Sequence, residues 1–306
     1  MTRAYMAKTK EISRRIKSVS STKKITKAME VVAAAKMRKA IEAVLKTRPY
    51  ANLSWETVLH LAKLSDSRSD SLHSLLTPRK EIKKVAIILI TSNRGMCGGY
   101  NTAVISKAKE SIKKHDLPTD FILVGKKGTI VNRQGYNVAA EFEKSDILTD
   151  ARDIFPVVKL VLDSYQKGQY DKIFVAYTDF VNAAKQIPRL KQLLPVELNK
   201  EDEFLGAVDE AVKTETSPVV LDYTFEPSPT EVLDLMIPRL LEIQLYQAFL
   251  EANASEHSAS MTAMHQATEA ATDMIAELTL FFNKARQAGI TAEIAEISAG
   301  ANALAE

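Results

Sequence analysis

The sequence predicts an α/β protein in which a long antiparallel coiled coil of N- and C-terminal helices is mounted on a central Rossmann-like α/β domain. Three observations carry this. The last quarter, Pro229 to Glu306, reads as one helix with no strong stop before Gly300. At ~1.5 Å per residue it is roughly 110 Å long, and a helix much beyond ~25 residues calls for a coiled coil, a membrane span or a repeat array. Glu251, Glu256, Asp273 and Glu277 recur too often for a membrane span, and the chain contains no run of 18 apolar residues. Second, the opening of the chain also reads as a long helix, and its charge complements the last one. Residues 1 to 50 hold fourteen Lys or Arg against Glu11, Glu30 and Glu42, a net of +11, whereas residues 229 to 306 hold Arg239, Lys284 and Arg286 against eleven acids, a net of −8. Exposed ion pairs contribute only ~0–1 kcal/mol each, so this asymmetry sets pairing more than strength. Third, the middle alternates short apolar strands with helices, the pattern of a parallel sheet.

Taken in order, residues 3 to about 60 form the first helix. Ile12, Ile16, Val19, Ile25, Met29, Val32, Met37, Ile41 and Val44 recur mostly three or four apart and mark one apolar face, with phase slips around Ser20 to Lys24 and across the alanines after Val32. Ala33, Ala34 and Ala35 permit close helix approach, Lys36, Arg38 and Lys39 face outward, and Pro49 bends the chain before a resumed helix through Trp55 and Leu64. Residues 65–81 are rich in Ser and Asp and read as a linker. Lys84 to Thr91, centred on VAIILI, suits a buried parallel strand. Further expected elements are a helix from Thr102 to His115, strands at Asp120 to Gly125 and Asn137 to Phe142 with a helix from Lys126 to Gly135 between them, a helix from Arg152 to Lys167, and a strand from Lys172 to Tyr177. Phe180 to Val196 and Val219 to Phe225 read as later strands, suited to an antiparallel edge. The last helix opens at Ser228, a natural N-cap, with Pro229 at its first position and Glu231 closing a capping box; Pro238 should only kink its first turns. The domains are therefore 1–64, an N-terminal coiled-coil helix; 65–81, a linker; 82–226, the α/β domain; and 227–306, the C-terminal coiled-coil helix.

No catalytic constellation emerges. Gly95, Gly98 and Gly99 follow a strand and precede a helix, where phosphate-binding loops occur, but they match neither G-x-G-x-x-G nor G-x-x-x-x-G-K-S/T, and a tight structural turn is the better reading. Cys97 stands alone, which excludes an internal disulfide and fits a reducing compartment, and no nucleophile signature pairs it with a histidine. The five histidines lack metal-ligand spacing, so neither a metal nor a cofactor is expected. The N-terminal sequence lacks the apolar core of a secretory signal, and its basic pattern runs into the first helix without the break an organelle transit peptide would show. A basic helix can bind nucleic acid, but here few aromatics interleave with the charges, and an acidic protein partner fits as well. A basic RNA-binding arm and a Rossmann-like enzyme with a ligand at Gly95 to Gly99 are the alternatives, and neither accounts for the overlong acidic second helix.

Residues 16 to 40, IKSVSSTKKITKAMEVVAAAKMRKA, resemble the N-terminal helix signature of the gamma subunit of F-type ATP synthase. TSNRGMCGGYN at 91 to 101 is similar to that family's second signature, and EPSPTEVLDLMIPRLLEIQLYQAFLEANASEHSASMTAM and NKARQAGITAEIAEISAGANAL resemble its C-terminal helix. The resemblance implies a non-catalytic central rotor stalk that couples ion flow through the membrane c-ring to ATP synthesis or hydrolysis. Its hairpin would stand inside a ring of alpha and beta subunits, while its foot and α/β domain hold the epsilon subunit and the c-ring. It further implies a peripheral place on the cytoplasmic face of a bacterial plasma membrane, with an organelle inner membrane as the second choice. Carried over residue by residue, Arg286 and Gln287 match contacts to the beta-subunit catch loop, and Met29 to Arg38, with Met29, Lys36 and Arg38 foremost, match the N-terminal part of that contact zone. Ser260 stands where the family commonly has Arg, which puts that contact in doubt. No Cys-containing insertion of the chloroplast type is present, so redox control is not expected. With about 75 residues in the last helix and about 55 in the first, the last should overrun by ~30 Å, leaving a free tip beyond about Arg286.

Overall fold

The computed structural model describes residues 2–66, 75–79, 81–146, 150–196 and 229–305. The expected strand at Val219 to Phe225, the Ser228 cap and most of the 65–81 linker lie outside the described residues. Five strands, β1 (Val85–Ile90), β2 (Thr119–Val124), β3 (Asn137–Phe142), β4 (Lys172–Phe180) and β5 (Gln186–Leu194), form one sheet in the order β3-β2-β1-β4-β5. β1 to β4 are parallel and β5 is an antiparallel edge. The helices are α1 (Thr2–Asp66), α2 (Tyr100–His115), the single turn α3 (Ile130–Arg133), α4 (Phe155–Gln166) and α5 (Pro229–Ala305). Contacts group the chain into two compact units, Met1–Val32 with Met261–Glu306, and Ala33–Ser260.

The second unit is built on β1. VAIILI is buried along its whole length because both faces of the sheet are covered. Alternation along the strand sends Ala86, Ile88 and Ile90 to one face, where they meet Val157, Val158 and Val161 of α4, Leu233, Ile237, Leu241 and Leu245 of α5, and Val44 of α1. Val85, Ile87 and Leu89 face the other way, onto Val104, Ile105 and Ala108 of α2. Three expectations are corrected here. Phe180 to Val196 is not one strand: β4 continues through Phe180, and a short turn that hydrogen-bonds Asn182 to Lys185 leads into β5. Leu75 and Leu76, expected in a linker, are buried in the core, where Leu75 O accepts from Val196 N at 3.0 Å. Nor does Pro49 divide the first helix; α1 is a single helix of 65 residues. Proline removes one helical hydrogen bond, but on either side of it Thr47 bonds Gln247 of α5 at 2.8 Å and Ala51 is fully buried, so tertiary packing holds the helical path.

The first unit is an antiparallel pair of helices. On α1, burial falls on Ile12, Ile16, Val19, Lys23, Thr26 and Glu30, alternating four and three residues apart, the 3.5-residue period of a left-handed coiled coil. On α5 the same rhythm runs through Met261, Met264, Thr268, Ala271, Ile275, Leu278, Phe282, Ala285, Gly289 and Ala292. Thr26 Oγ1 and Thr268 Oγ1 are 2.8 Å apart, and Glu30 lies 3.4 Å from His265 Nδ1, which fixes the register. The seam corrects the predicted face. Ile25 and Val32 point outward at 60% and 55% exposure. Through the apparent phase slip the seam keeps its period and accepts Lys23, Thr26 and Glu30, because a constant 3.5 spacing is what keeps two supercoiled helices in contact.

The register also corrects the free tip. It places Thr2 opposite Ala292, and from residue 293 onward every side chain described on α5 is exposed. The overrun is thus from 293 to 305, ~20 Å rather than ~30 Å, because α1 is longer than expected.

At the end of β2, Gly125 has φ +93°, and a Cβ there would sit 2.2 Å from the carbonyl oxygen of Thr91. Gly125→Ala therefore meets backbone on one side and a disfavoured φ on the other. We expect a loss of at least about 2 kcal/mol, read as a lower urea midpoint with unchanged slope; an unchanged midpoint would show that the turn relaxes freely.

Candidate functional site: partner-binding surfaces

The helix pair of the first unit distributes its side chains in an unusual way for a coiled coil. Its seam contains Thr26, Thr268, Ala271, Ala285 and Gly289, while Ile25 and Val31 on α1 and Met274, Leu280, Phe281, Ile290, Ile294 and Ile297 on α5 are about half exposed or more. Small and polar seam residues bring the helices close and fix their register. They leave the large apolar groups of the paired region facing away from the partner helix, and Ile294 and Ile297 follow on the unpaired end. A surface of this kind marks a site that another protein covers.

The residues singled out from the sequence fall in different places. Arg286 and Gln287 are exposed on α5, next to the seam positions Ala285 and Gly289. Met29 is half-buried on α1, and the register sets it opposite residue 265, about 21 residues or ~30 Å along the pair from Arg286. Lys36 and Arg38 belong to the second unit. Arg38 is exposed, whereas Lys36 Nζ binds Asp146 Oδ2 at 2.9 Å. That ammonium group holds the Asp146 carboxyl below its ordinary range. Ser260 is half-buried near the end of the second unit.

The loop 91–101 is a closed turn. Asn101 Oδ1 accepts from Ser92 N at 2.9 Å, Asn101 Nδ2 donates to Ser92 Oγ at 2.7 Å and to Cys97 Sγ at 3.2 Å, and Ser92 Oγ donates to Arg94 O at 2.5 Å. Its side chains satisfy one another and hold Cys97 buried; burial pushes the thiol up from its ordinary value. A thiol so held is a poor nucleophile. Met96 and Gly98 take positive φ, which the turn needs to reverse the chain before α2.

In doubly wound sheets, ligands bind at the carboxyl edge, where the strand order reverses; here that point lies between β1 and β4. The crevice is filled by α5. Tyr100, just beyond β1, donates to Ala252 O at 3.1 Å; Ser255 Oγ donates to Thr178 O of β4 at 3.0 Å; Ser258 Oγ donates to Ala183 O at 2.8 Å. Beyond β3, Asn253 Nδ2 reaches Ser145 O at 3.3 Å and His257 Nε2 reaches Asp146 O at 3.0 Å. Since a carbonyl only accepts, the His257 proton sits on Nε2, and burial lowers the imidazole below its ordinary pKa, keeping it neutral. Lys144 Nζ bonds Glu256 Oε2 at 2.5 Å with both side chains largely buried, under the Tyr100 ring. Sequence reasoning missed this joint. The available signal was the absence of Lys or Arg between residues 240 and 283, in a stretch where small residues alternate with Ser, Asn and His. Among the described residues, no group of three or more His, Cys, Asp or Glu could hold a metal ion, and no helix is long and apolar enough to cross a membrane.

Comparison with known proteins gives a consistent result. A family model described as ATP synthase matches residues 8–304. The chain is 39% identical over 303 residues to the ATP synthase gamma chain of Legionella pneumophila (strain Corby) and 42% identical over 300 residues to that of Pelotomaculum thermopropionicum, in each case over 98% of this chain and 100% of the relative. The fold is similar to a chain of the Euglena gracilis mitochondrial ATP synthase in its OSCP/F1/c-ring structure, rotational state 3. The TM-score is 0.63 at 18% identity, covering 97% of this chain and 95% of that one. It is also similar to a chain of the central stalk/c-ring structure of the Tetrahymena thermophila enzyme, with a TM-score of 0.57 at 20% identity, covering 79% and 99%.

The joint between Lys144 and Glu256 generates a test. Removing one partner of a buried ion pair leaves the other uncompensated, a cost of about 3 kcal/mol or more. Lys144→Met should destabilise the fold by about that much, read as a lower unfolding midpoint, and Lys144→Met with Glu256→Gln should recover most of it. Equal losses in the single and double variants would show that the pair contributes only packing.

Proposed function

The chain belongs to the ATP synthase gamma chain family, and from that premise we propose how it engages its partners. As a gamma chain it is the non-catalytic central-stalk subunit of a rotary F-type ATP synthase, within a complex that contains a c-ring and F1 subunits. We infer that the first unit stands inside the ring of alpha and beta subunits, and that the second unit holds the epsilon subunit and the c-ring. Nucleic acid plays no part, and the membrane is reached only through the c-ring. From its bacterial relatives we infer a place on the cytoplasmic face of a bacterial plasma membrane, with an organelle inner membrane as the second choice.

The observation that carries this reading is the outward-facing apolar surface of the helix pair. Ile25, Val31 and Val32 on α1, and Phe281 and Ile290 on α5, face away from the helix they pair with, and Ile294 and Ile297 stand exposed on the unpaired end of α5. A surrounding sleeve of subunits covers such side chains from all sides, and the bare end from 293 to 305 enters it first. Because Met29 and Arg286 lie ~30 Å apart along the pair, the ring meets them as two separate zones. Arg286 and Gln287 form the zone near the tip. Arg286 is one of three basic residues in the acidic last quarter, and its guanidinium can make two parallel hydrogen bonds to a carboxylate on a catch loop. Met29 forms the other zone of the first unit; in the second unit Arg38 is exposed, while Lys36 contacts a partner only by sharing or leaving Asp146.

Co-purification tests the assignment. A tagged copy should bring down alpha and beta subunits in stoichiometric amounts, and recovery of the chain without them would overturn it. Association should also raise the melting temperature of the chain, since partners bind only its folded form.

Torque transfer is tested separately. Arg286→Ala with Gln287→Ala should leave assembly intact, because both side chains lie outside the seam. Hydrogen bonds to charged groups contribute ~1.5–3 kcal/mol, and ~1.4 kcal/mol is tenfold in rate when the contact forms only in the transition state. ATP hydrolysis and ATP-driven ion pumping in the reconstituted complex should change by about that factor. If both rates stay within about twofold, the pair is not the catch.

A further inference from the structure

Four charged side chains from four elements converge inside the second unit: Glu251 of α5, Asp179 of β4, Arg189 of β5 and Arg48 of α1. The side chains of Glu251 and Asp179 are 1% and 0% exposed. Their partners are unequal. Asp179 Oδ2 lies 2.8 Å from Arg189 Nε in a close ion pair. Glu251 Oε1 accepts from Gln247 Nε2 at 3.1 Å, but the nearest cation, Arg48 Nη2, is 4.0 Å away and outside hydrogen-bond reach. Glu251 Oε2 and both carboxyl oxygens of Asp179 have no hydrogen-bond partner, and neither do Nε and Nη2 of Arg48.

A carboxylate oxygen sealed from water without a donor is strongly disfavoured. A proton on Glu251 Oε2 removes the charge and supplies a donor beside an acceptor that lacks one. We propose that Glu251 and Asp179 form a buried proton-binding site at the point where α1, α5 and the sheet meet, and that Arg48 becomes the partner of Glu251 when the proton leaves. The site has two arrangements. With the proton bound, Glu251 is tied to β4 and Arg48 stands off. With it released, the bare carboxylate draws the guanidinium of α1 across the remaining gap.

The surroundings support one proton there. Burial first, and then the charge of Asp179, push the Glu251 carboxyl up to about 8, against the smaller opposing effects of Gln247 and Arg48. The other titratable groups facing it do not exchange protons near neutrality. Tyr177 of β4 is pushed well above its ordinary value by burial and by Glu251 and Asp179, while Arg48 and Arg189 are guanidinium ions. The folded chain therefore keeps a proton that the unfolded chain releases near 4.5. This contribution to stability is complete below that value and is lost as pH rises through about 8. His257, which burial keeps neutral, acts in the opposite direction and only on the acid side of neutrality, and its bond is to Asp146.

The test is infrared titration of the full chain from about pH 6.5 to 9.5, a window that brackets the site while ordinary carboxyls stay ionised. A protonated-carboxyl C=O band should be present at neutral pH, fade through the mildly alkaline range, and be missing from Glu251→Gln. The melting temperature of the wild type should fall more steeply over the same range than that of the variant. Asp179→Asn should move the fading of the band to lower pH, because it removes the adjacent negative charge. Absence of the band in the wild type at neutral pH overturns the proposal. Its survival in Glu251→Gln, or parallel melting curves for the two proteins, does the same. Should Glu251→Gln fail to fold, the wild-type band and its response to Asp179→Asn decide the matter.

Discussion

Between Gln247 and Ser258, α5 is buried at every position except Glu256, so each polar group it carries into the sheet's carboxyl edge must find a partner away from water. That requirement organises the second unit. Ser255 and Ser258 go to carbonyl oxygens of β4 and its turn, Asn253 and His257 to the segment after β3, and Glu256 to Lys144. Because the partners come from separate loops, the helix cannot rotate about its own axis or slide along it without breaking several bonds together. A hydrophobic contact of similar area would be stable but indifferent to small shifts. For a stalk that transmits torque, a joint with one geometry is the useful property. The same docking fills the crevice that a doubly wound sheet offers to a ligand.

The first unit follows a different rule. Its seam is narrow and partly polar, with Thr26 against Thr268 and Glu30 near His265. Such contacts choose a register more than they add stability. Ile25, Val31, Phe281 and Ile297 remain for something else to cover. Such a pair leaves apolar surface that association with another protein would complete, and association would then add to its stability. One continuous helix, α5, carries both behaviours. Sequence composition marks the change: no Lys or Arg occurs from residue 240 to 283, and the two that then appear, Lys284 and Arg286, lie on the stretch of the pair that faces outward.

Much of the architecture was legible locally. VAIILI could only be a strand buried on both sides, Pro229 and Glu231 mark a helix start, and the Gly95 to Gly99 loop lacked the spacing of a phosphate cradle and proved to be a self-bonded turn. These features depend on residues within one or two turns of each other, where propensity and periodicity act. The faces of the long helices were less legible. Ile25 and Val32 carry more apolar surface than Thr26 and Ala33, yet the latter are buried, because the seam follows a supercoil period set by a helix some 240 residues away. Pro49 looked like a break for the same reason: the bonds that hold α1 helical around it come from α5.

What the sequence by itself determined is the order and kind of the elements, the alternation of strand and helix, the two overlong helices of opposite charge, and the signatures that place the chain in its family. All of these are written in short windows of residues. Only the tertiary structure decided that Glu251, which reads as one more charge on an exposed helix, is sealed beside Asp179, and that Lys36 is engaged by Asp146. The same is true of the free tip, which begins near residue 293 rather than at Arg286. Each of these depends on which distant segment lies opposite and in what register. A charge acquires a partner or loses its water only when the chain has closed on itself, and no local pattern encodes that distance.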